Sequence, residues 1–225
     1  MQVNFEKVSN PVEENAIVDD TTIMNTIYDY EGYRISHISM SKGTFVFSER
    51  FRNPTMLYVN KGQLRVSVFN NNESKKETVV KAGQIYFRPS KEFAGYYADD
   101  SDVIVTEIVL NTNSTISMRI IPHAVQDLIH LVHYEPGQVS RSHLVSDPLF
   151  QMNMYAYSEL ERKTNFYKEK PILIVCMEGQ LVIAHETDKY VLNKGDMFAV
   201  PANYTCDISA SSRTKIIVLY LCDKS

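Results

Sequence analysis

The chain has 225 residues, 44% of them hydrophobic, with 23 Lys and Arg against 27 Asp and Glu and a formal net charge of −4. That length suits one large domain or two small ones around a packed core. The charge balance, with no Lys/Arg run, excludes the clustered basic face that phosphate neutralisation needs, so no nucleic acid is expected as a direct partner. No apolar run approaches the roughly 18 residues that span a bilayer. Residues 1–7 lack the apolar segment of a signal peptide, so the expected location is cytoplasmic, with no membrane partner.

In chain order, residues 1–25 are polar, carry Pro11 and several acidic side chains, and read as a loosely docked lead-in. From Tyr33 the chain alternates or runs apolar through Ile35, Ile38, Phe45 and Phe47 and reaches an apolar strand at residues 55–59. A Lys61-Gly62-Gln63-Leu64 turn follows, then a polar stretch at residues 70–77 that reads as a long hairpin tip. Next comes Gly83, with a mostly apolar run up to Pro89. Pro122 opens a segment, residues 123–134, whose Ala124, Val125, Leu128, Ile129, Leu131 and Val132 cover one arc of a helical wheel, and Pro136-Gly137 ends it. This predicts a connecting helix. His130 and His133, one turn apart on its other face, could share a metal ion with Asp127 or His123, but polar residues filling the wet side of an amphipathic helix explain them better.

Residues 150–157 alternate as a strand, and then the earlier pattern returns. An apolar strand at residues 172–176 leads to Glu178-Gly179-Gln180-Leu181, and Gly195 is followed by an apolar run to Pro201. Two pieces recurring in one order at similar spacing predict a duplication. The expected division is a barrel with lead-in at residues 1–115, a connecting segment with a helix at 116–149 and a second barrel at 150–225. Short strands joined by regular turns favour an all-β sandwich or barrel over a βαβ fold. Cys176, Cys206 and Cys222 match no zinc spacing and read as reduced thiols.

The repeated pieces resemble the cupin superfamily of small jelly-roll barrels, and the duplication makes the chain similar to a tandem, or bicupin, member. The opening of the family's second motif, Gly, five residues, Pro, stands twice, at Gly83 to Pro89 and Gly195 to Pro201, in register with Gly62 and Gly179, which match the glycine closing the first motif. The resemblance covers residues 33–110 and 150–221. It implies metal ligands at positions that carry none of the family's histidines. In the first half these are Ser48 and Arg50 (or Glu49 and Phe51), Thr55 and Ala94; in the second they are Asn165 and Tyr167 (or Phe166 and Lys168), Ile172 and Cys206. No metal or other cofactor is therefore expected.

Period-2 alternation from those positions predicts a first lumen lined by Ser48, Arg50, Thr55, Leu57, Glu92 and Tyr96, and a second by Asn165, Tyr167, Ile174, Tyr204 and Cys206. Arg50 would pair with Glu92 as a structural ion pair, or would grip a ligand carboxylate with Tyr96 beside it. The second lumen suits a neutral polar ligand or is filled by side chains. The leading functional expectation is a non-catalytic, metal-free protein that binds or senses a small sugar or carboxylate. It resembles the effector-binding cupin domains of arabinose-regulator-type transcription factors, without their helix-turn-helix pair. One alternative is a cupin-type sugar isomerase or epimerase using Tyr96, Tyr167 or Tyr204, with His185 the only histidine near a barrel. The other is a structural module that dimerises through its sheets, and a homodimer is the expected assembly. No catalytic residue is assigned.

Overall fold

The computed structural model describes residues 6–8, 16–19, 21–30, 33–48, 53–69, 75–90, 92–111, 114–117, 119–147, 150–158, 162–210 and 212–221. Among them the protein is all-β, with no α-helix. The chain forms two compact units that are not its linear halves. One comprises Asn10–Ser114 with Ile120–Leu128; the other comprises Ile129–Ser225 with Met1–Ser9 and Thr115–Arg119.

In the first unit a seven-stranded antiparallel sheet runs in the order Val125–Asp127, Gln84–Arg88, Thr55–Lys61, Val103–Val109, Tyr33–Met40, Thr22–Tyr30, Ala16–Asp19. A four-stranded sheet runs Phe45–Ser48, Phe93–Tyr97, Gln63–Phe69, Lys75–Lys81. Alternate residues of both sheets meet between them. Ile38, Met40, Leu57, Val59, Tyr86, Val103 and Val105 from the larger sheet pack with Leu64, Val66, Val68, Val80, Ala94 and Tyr96 from the smaller. This is the interdigitated core of a two-layer β fold. The opposite face of the larger sheet, with Met56, Tyr58, Ile85 and Phe87, is buried as well.

The second unit has the same strand counts in the same arrangement. Its larger sheet runs Glu6–Val8, Met197–Val200, Ile172–Glu178, Thr214–Leu221, Phe150–Tyr157, Val139–Ser146, Thr115–Ile116. Its smaller sheet runs Arg162–Lys168, Tyr204–Ala210, Gln180–His185, Asp188–Asn193. Its core joins Ile172, Ile174, Cys176, Phe198, Val200, Ile216 and Val218 to Leu181, Ile183, Leu192, Cys206 and Ile208. The strand at the edge of this sheet, Glu6–Val8, comes from the chain's start and pairs with Met197–Ala199. Part of the polar lead-in is thus an ordered sheet edge.

The glycines shared by the repeated pieces have a common cause. Gly62 and Gly179 hold φ of 79° and 75°. A Cβ added there would lie 2.2 Å from the Asp102 carbonyl oxygen in one unit and 2.1 Å from that of Arg213 in the other. Only a residue without a side chain lets the two backbones approach so closely while adopting the left-handed conformation.

The connecting helix does not form. Residues 125–127 are a strand paired with Gln84–Tyr86, and Leu128–Leu131 is a single 3-10 turn. The open edge of the Gln84–Arg88 strand offers unpaired backbone groups, and Val125 packs on the first core. Those long-range gains outweigh a short amphipathic period, which is marginal as a helix on its own. His123, at φ 58°, makes the turn that redirects the chain.

His37, on the buried outer face, has neither ring nitrogen hydrogen-bonded among the described residues, and burial pushes its pKa down from 6.5 to about 4. The unfolded chain therefore binds more protons than the folded one between those values, and stability falls as pH drops through that window. In urea unfolding, wild type should lose about 2–3 kcal/mol more than His37→Leu between pH 7 and pH 4.5. Equal losses would mean that His37 takes up its proton as readily in the folded chain as in the unfolded one. Gly62→Ala and Gly179→Ala should each cost about 3 kcal/mol or more, whereas Gly43→Ala, with positive φ but open space around it, should cost about 1 kcal/mol. A similar cost at all three positions would show that conformation alone, and not the carbonyl approach, sets the requirement.

Candidate functional site

The inward-facing positions of the first unit change character toward one end. Val103 and Val105 are core residues, but two positions further along the same strand stands Glu107, 2% exposed. Leu57 and Val59 are core residues, but two positions back stands Thr55, fully buried. Tyr86 is core, and two positions on stands Arg88, which has no exposed surface and is the largest fully buried side chain described. Thr55 and Arg88 are cross-strand partners. Strand parity therefore delivers a threonine, an arginine and a glutamate to one end of an otherwise apolar interior.

Arg88 Nη2 donates to Thr55 Oγ1 at 2.8 Å, and Nη1 donates to the Glu92 carbonyl oxygen at 2.7 Å. Both acceptors are uncharged. The Glu107 carboxyl receives Arg34 Nη2 at 3.3 Å. Burial pushes its pKa above the ordinary range, and the Arg34 guanidinium, followed by that of Arg88, pulls it back.

Beside the arginine lies a chain of three further groups. His123 Nε2 is 3.2 Å from Glu92 Oε1, and His123 Nδ1 is 3.4 Å from the Tyr86 hydroxyl. The carboxylate can only accept, so Nε2 carries the proton, and Nδ1 is then left to accept from the phenol when the ring is neutral. Burial, with the negative charge of Glu92, raises the Tyr86 pKa to about 12 and keeps that phenol protonated. The His123 backbone N–H donates to the Phe87 carbonyl at 3.0 Å, which ties the imidazole to the same strand.

The expected site residues fall in three groups. Thr55 and Glu92 are brought together, through Arg88. Tyr96 is buried in the first core, facing inward. Ser48 lies on a strand as the cross-strand partner of Ala94, whereas Arg50 and the side chains of Ser48, Asn165 and Tyr167 lie outside the described residues. The proposed Arg50–Glu92 pair is therefore not described, and the Glu92 main chain and carboxylate engage Arg88 and His123.

In the second unit Cys206 is buried in the core, and burial raises its thiol pKa to about 11. Tyr204 is 38% exposed, with its ring 4.7 Å from that of His185. His185 Nδ1 donates to the Thr205 carbonyl at 2.9 Å, a bond within its own sheet. The four residues expected to crowd one helix face are separated, with His123 and Asp127 in the first unit and His130 and His133 in the second. Among the described residues no three His, Cys, Asp or Glu side chains converge as a metal site.

The two units differ at equivalent positions. Counting from Gly179 and Gly195 as from Gly62 and Gly83, the counterparts of Thr55 and Arg88 are Ile172 and Val200, which are also cross-strand partners. Both are fully buried members of an apolar core. Val218 likewise stands where the first unit has Glu107, as the partner of Ile174 in place of Leu57. Arg88 is not a ligand-equivalent position, and parity from Thr55 across to the strand ending before Pro89 is the signal that finds it; His123, expected on a helix beside His130, instead meets Tyr86 and Glu92.

No protein-family model matches the chain, and no curated relative matches it. Solved structures do. A cupin 2 conserved barrel domain protein from Leptotrichia buccalis is similar at 14% identity with a TM-score of 0.73, over 96% of this chain and 96% of that one. Salicylate 1,2-dioxygenase from Pseudaminobacter salicylatoxidans is similar at 10% identity and TM-score 0.61, over 84% of this chain and 70% of that one. A deletion mutant of Bacillus subtilis oxalate decarboxylase is similar at 8% identity and TM-score 0.59, over 99% of this chain and 78% of that one. At these identities the likeness establishes the fold, and the fold of this chain is the cupin-type jelly roll.

Proposed function

We propose that the chain is a tandem pair of cupin-type barrels that works as a metal-free binding or sensing protein, and that its first barrel takes a small carboxylate through Arg88. The matching strand order of the two units, together with the doubled Gly-to-Pro pieces, supports the duplication. The observation that carries the functional reading is the difference between equivalent positions. The second unit closes the same end with Ile172 and Val200, so the fold does not need a charge there. Burying a guanidinium costs several kcal/mol that apolar residues of similar volume avoid. A guanidinium at this position, with Thr55 and the Glu92 carbonyl among its partners, matches a small carboxylate in charge and geometry.

The positive group beside Thr55 also disfavours a divalent cation at the position of the family's carboxylate ligand, which supports the metal-free reading. Two of the solved neighbours are named for carboxylates, salicylate and oxalate, although the likeness carries the fold and not the activity.

A second reading, an isomerase or epimerase, is favoured by one observation. Tyr86, His123 and Glu92 form a hydrogen-bonded series beside Arg88, with the base and its orienting carboxylate in the order that proton transfer requires. A phenol shared with such an imidazole could give a proton to, or take one from, a carbon next to the bound carboxylate.

Arg88→Met tests the binding that both readings share. With acetate, oxalate and salicylate as probes, wild type should show a ligand-induced rise in melting temperature that the variant loses, with binding at least about tenfold weaker. The ligand-free melting temperature should be unchanged or higher, because an apolar side chain replaces a buried charge. A fall of many degrees without ligand would make Arg88 a structural residue and contradict the proposal. If the protein turns over a bound acid, Tyr86→Phe should abolish turnover and leave binding intact; turnover that survives this change removes Tyr86 from the chemistry.

A further inference from the structure

The second unit carries a polar cluster of its own, on other strands. Asn153 and Tyr155 lie on Phe150–Tyr157 opposite Val218 and Ile216, both core residues, so these two side chains face inward. Arg141 and His143 stand across from them on the neighbouring strand Val139–Ser146. Tyr220, two positions beyond Val218, shares the inward face, and its hydroxyl is 2.7 Å from that of Tyr155. The cluster runs from exposed Arg141 and His143 down to Asn153, which has no exposed surface.

The hydrogen bonds fix the asparagine amide. Arg141 Nη2 lies 3.1 Å from Asn153 Oδ1, and an arginine can only donate, so that atom is the carbonyl oxygen. His143 Nδ1, 2.6 Å from the same oxygen, must then carry a proton. The oxygen is thus doubly satisfied, and the amide nitrogen is left with no hydrogen-bond partner among the described residues. A fully buried N–H₂ group without an acceptor is expensive. The residues around it cannot supply that acceptor at low cost, because a guanidinium and a protonated imidazole nitrogen are donors. Burial, with the Tyr155 hydroxyl, holds the Tyr220 pKa well above the ordinary phenol value, so that phenol keeps its proton. Arg141 also lies 6.0 Å from the Tyr155 ring centre, which sets a cation beside an aromatic face at the solvent end of the cluster.

A ligand that completes this arrangement brings an anionic oxygen to the Asn153 nitrogen and the Arg141 guanidinium, and an apolar or aromatic body to Tyr155 and Tyr220. We infer that the second unit holds a separate site for a small monocarboxylate with an apolar body, gripped by Asn153 and Arg141. The inference is independent of the reading of Arg88, which belongs to the other unit.

Equilibrium dialysis of the full chain with labelled benzoate tests it. Asn153→Asp sets a carboxylate against the incoming anion and pairs it with Arg141, and Arg141→Gln removes the cation from the surface without touching the core. Each should weaken one class of benzoate sites by about tenfold or more, while Arg88→Met leaves that class unchanged. Far-UV circular dichroism checks folding, and if Asn153→Asp fails to fold, Arg141→Gln alone decides. The inference is overturned if wild type binds no benzoate at about 10 mM, a concentration that reaches even weak sites. It is equally overturned if benzoate binding is untouched by Arg141→Gln, or if Arg88→Met removes all of it, which would assign the anion to the first unit.

Discussion

A sheet buried on both faces makes an unpartnered polar side chain costly, and this constraint bears on both units. Each larger sheet turns one face to its smaller sheet and has its other face buried as well. The inward positions at the end of each interior therefore had to be filled either by apolar residues or by groups that satisfy one another. The second unit takes the first course with Ile172, Val200 and Val218. The first takes the other, with Thr55 and the Glu92 carbonyl receiving Arg88, and Arg34 receiving Glu107.

The chemistry this leaves is that of guanidinium and carboxyl groups within low-dielectric walls, where electrostatic attraction is strong and mismatched charge is costly. Such a place discriminates by charge sign more sharply than by shape. The Tyr86–His123–Glu92 series adds groups that can pass a proton, and it is anchored by the segment after Pro122, which crosses onto the first unit as an edge strand. The two units thus differ in the contents of their interiors and not in their framework.

Much of the framework was legible in the sequence. The Gly62 and Gly179 turns mark positions where backbone geometry leaves no alternative residue, and alternation outward from them puts Leu57, Tyr96, Ile174 and Cys206 on core faces, although Tyr204, reached by the same alternation, is exposed. Residues 123–134 failed for a physical reason. A helical period reports only which residues are apolar, and it cannot report that an open sheet edge stands ready to pair with Val125–Asp127. Arg88 was hidden in a run read as apolar, although its place opposite Thr55 was implicit in the same alternation. Asn153, Tyr155 and Tyr220 were hidden differently, since their meeting with Arg141 and His143 depends on a strand register that no local pattern encodes.

The central claim is that Arg88 marks an anion site in the first unit. A crystal structure of the chain soaked with 4-bromobenzoate tests it most directly, because the bromine's anomalous signal places the acid without assumption. The account predicts a bromine peak in the first unit with the carboxylate against the Arg88 guanidinium and Thr55. A first unit empty of bromine, with a protein carboxylate closed on Arg88 or a metal ion beside Thr55, would contradict it.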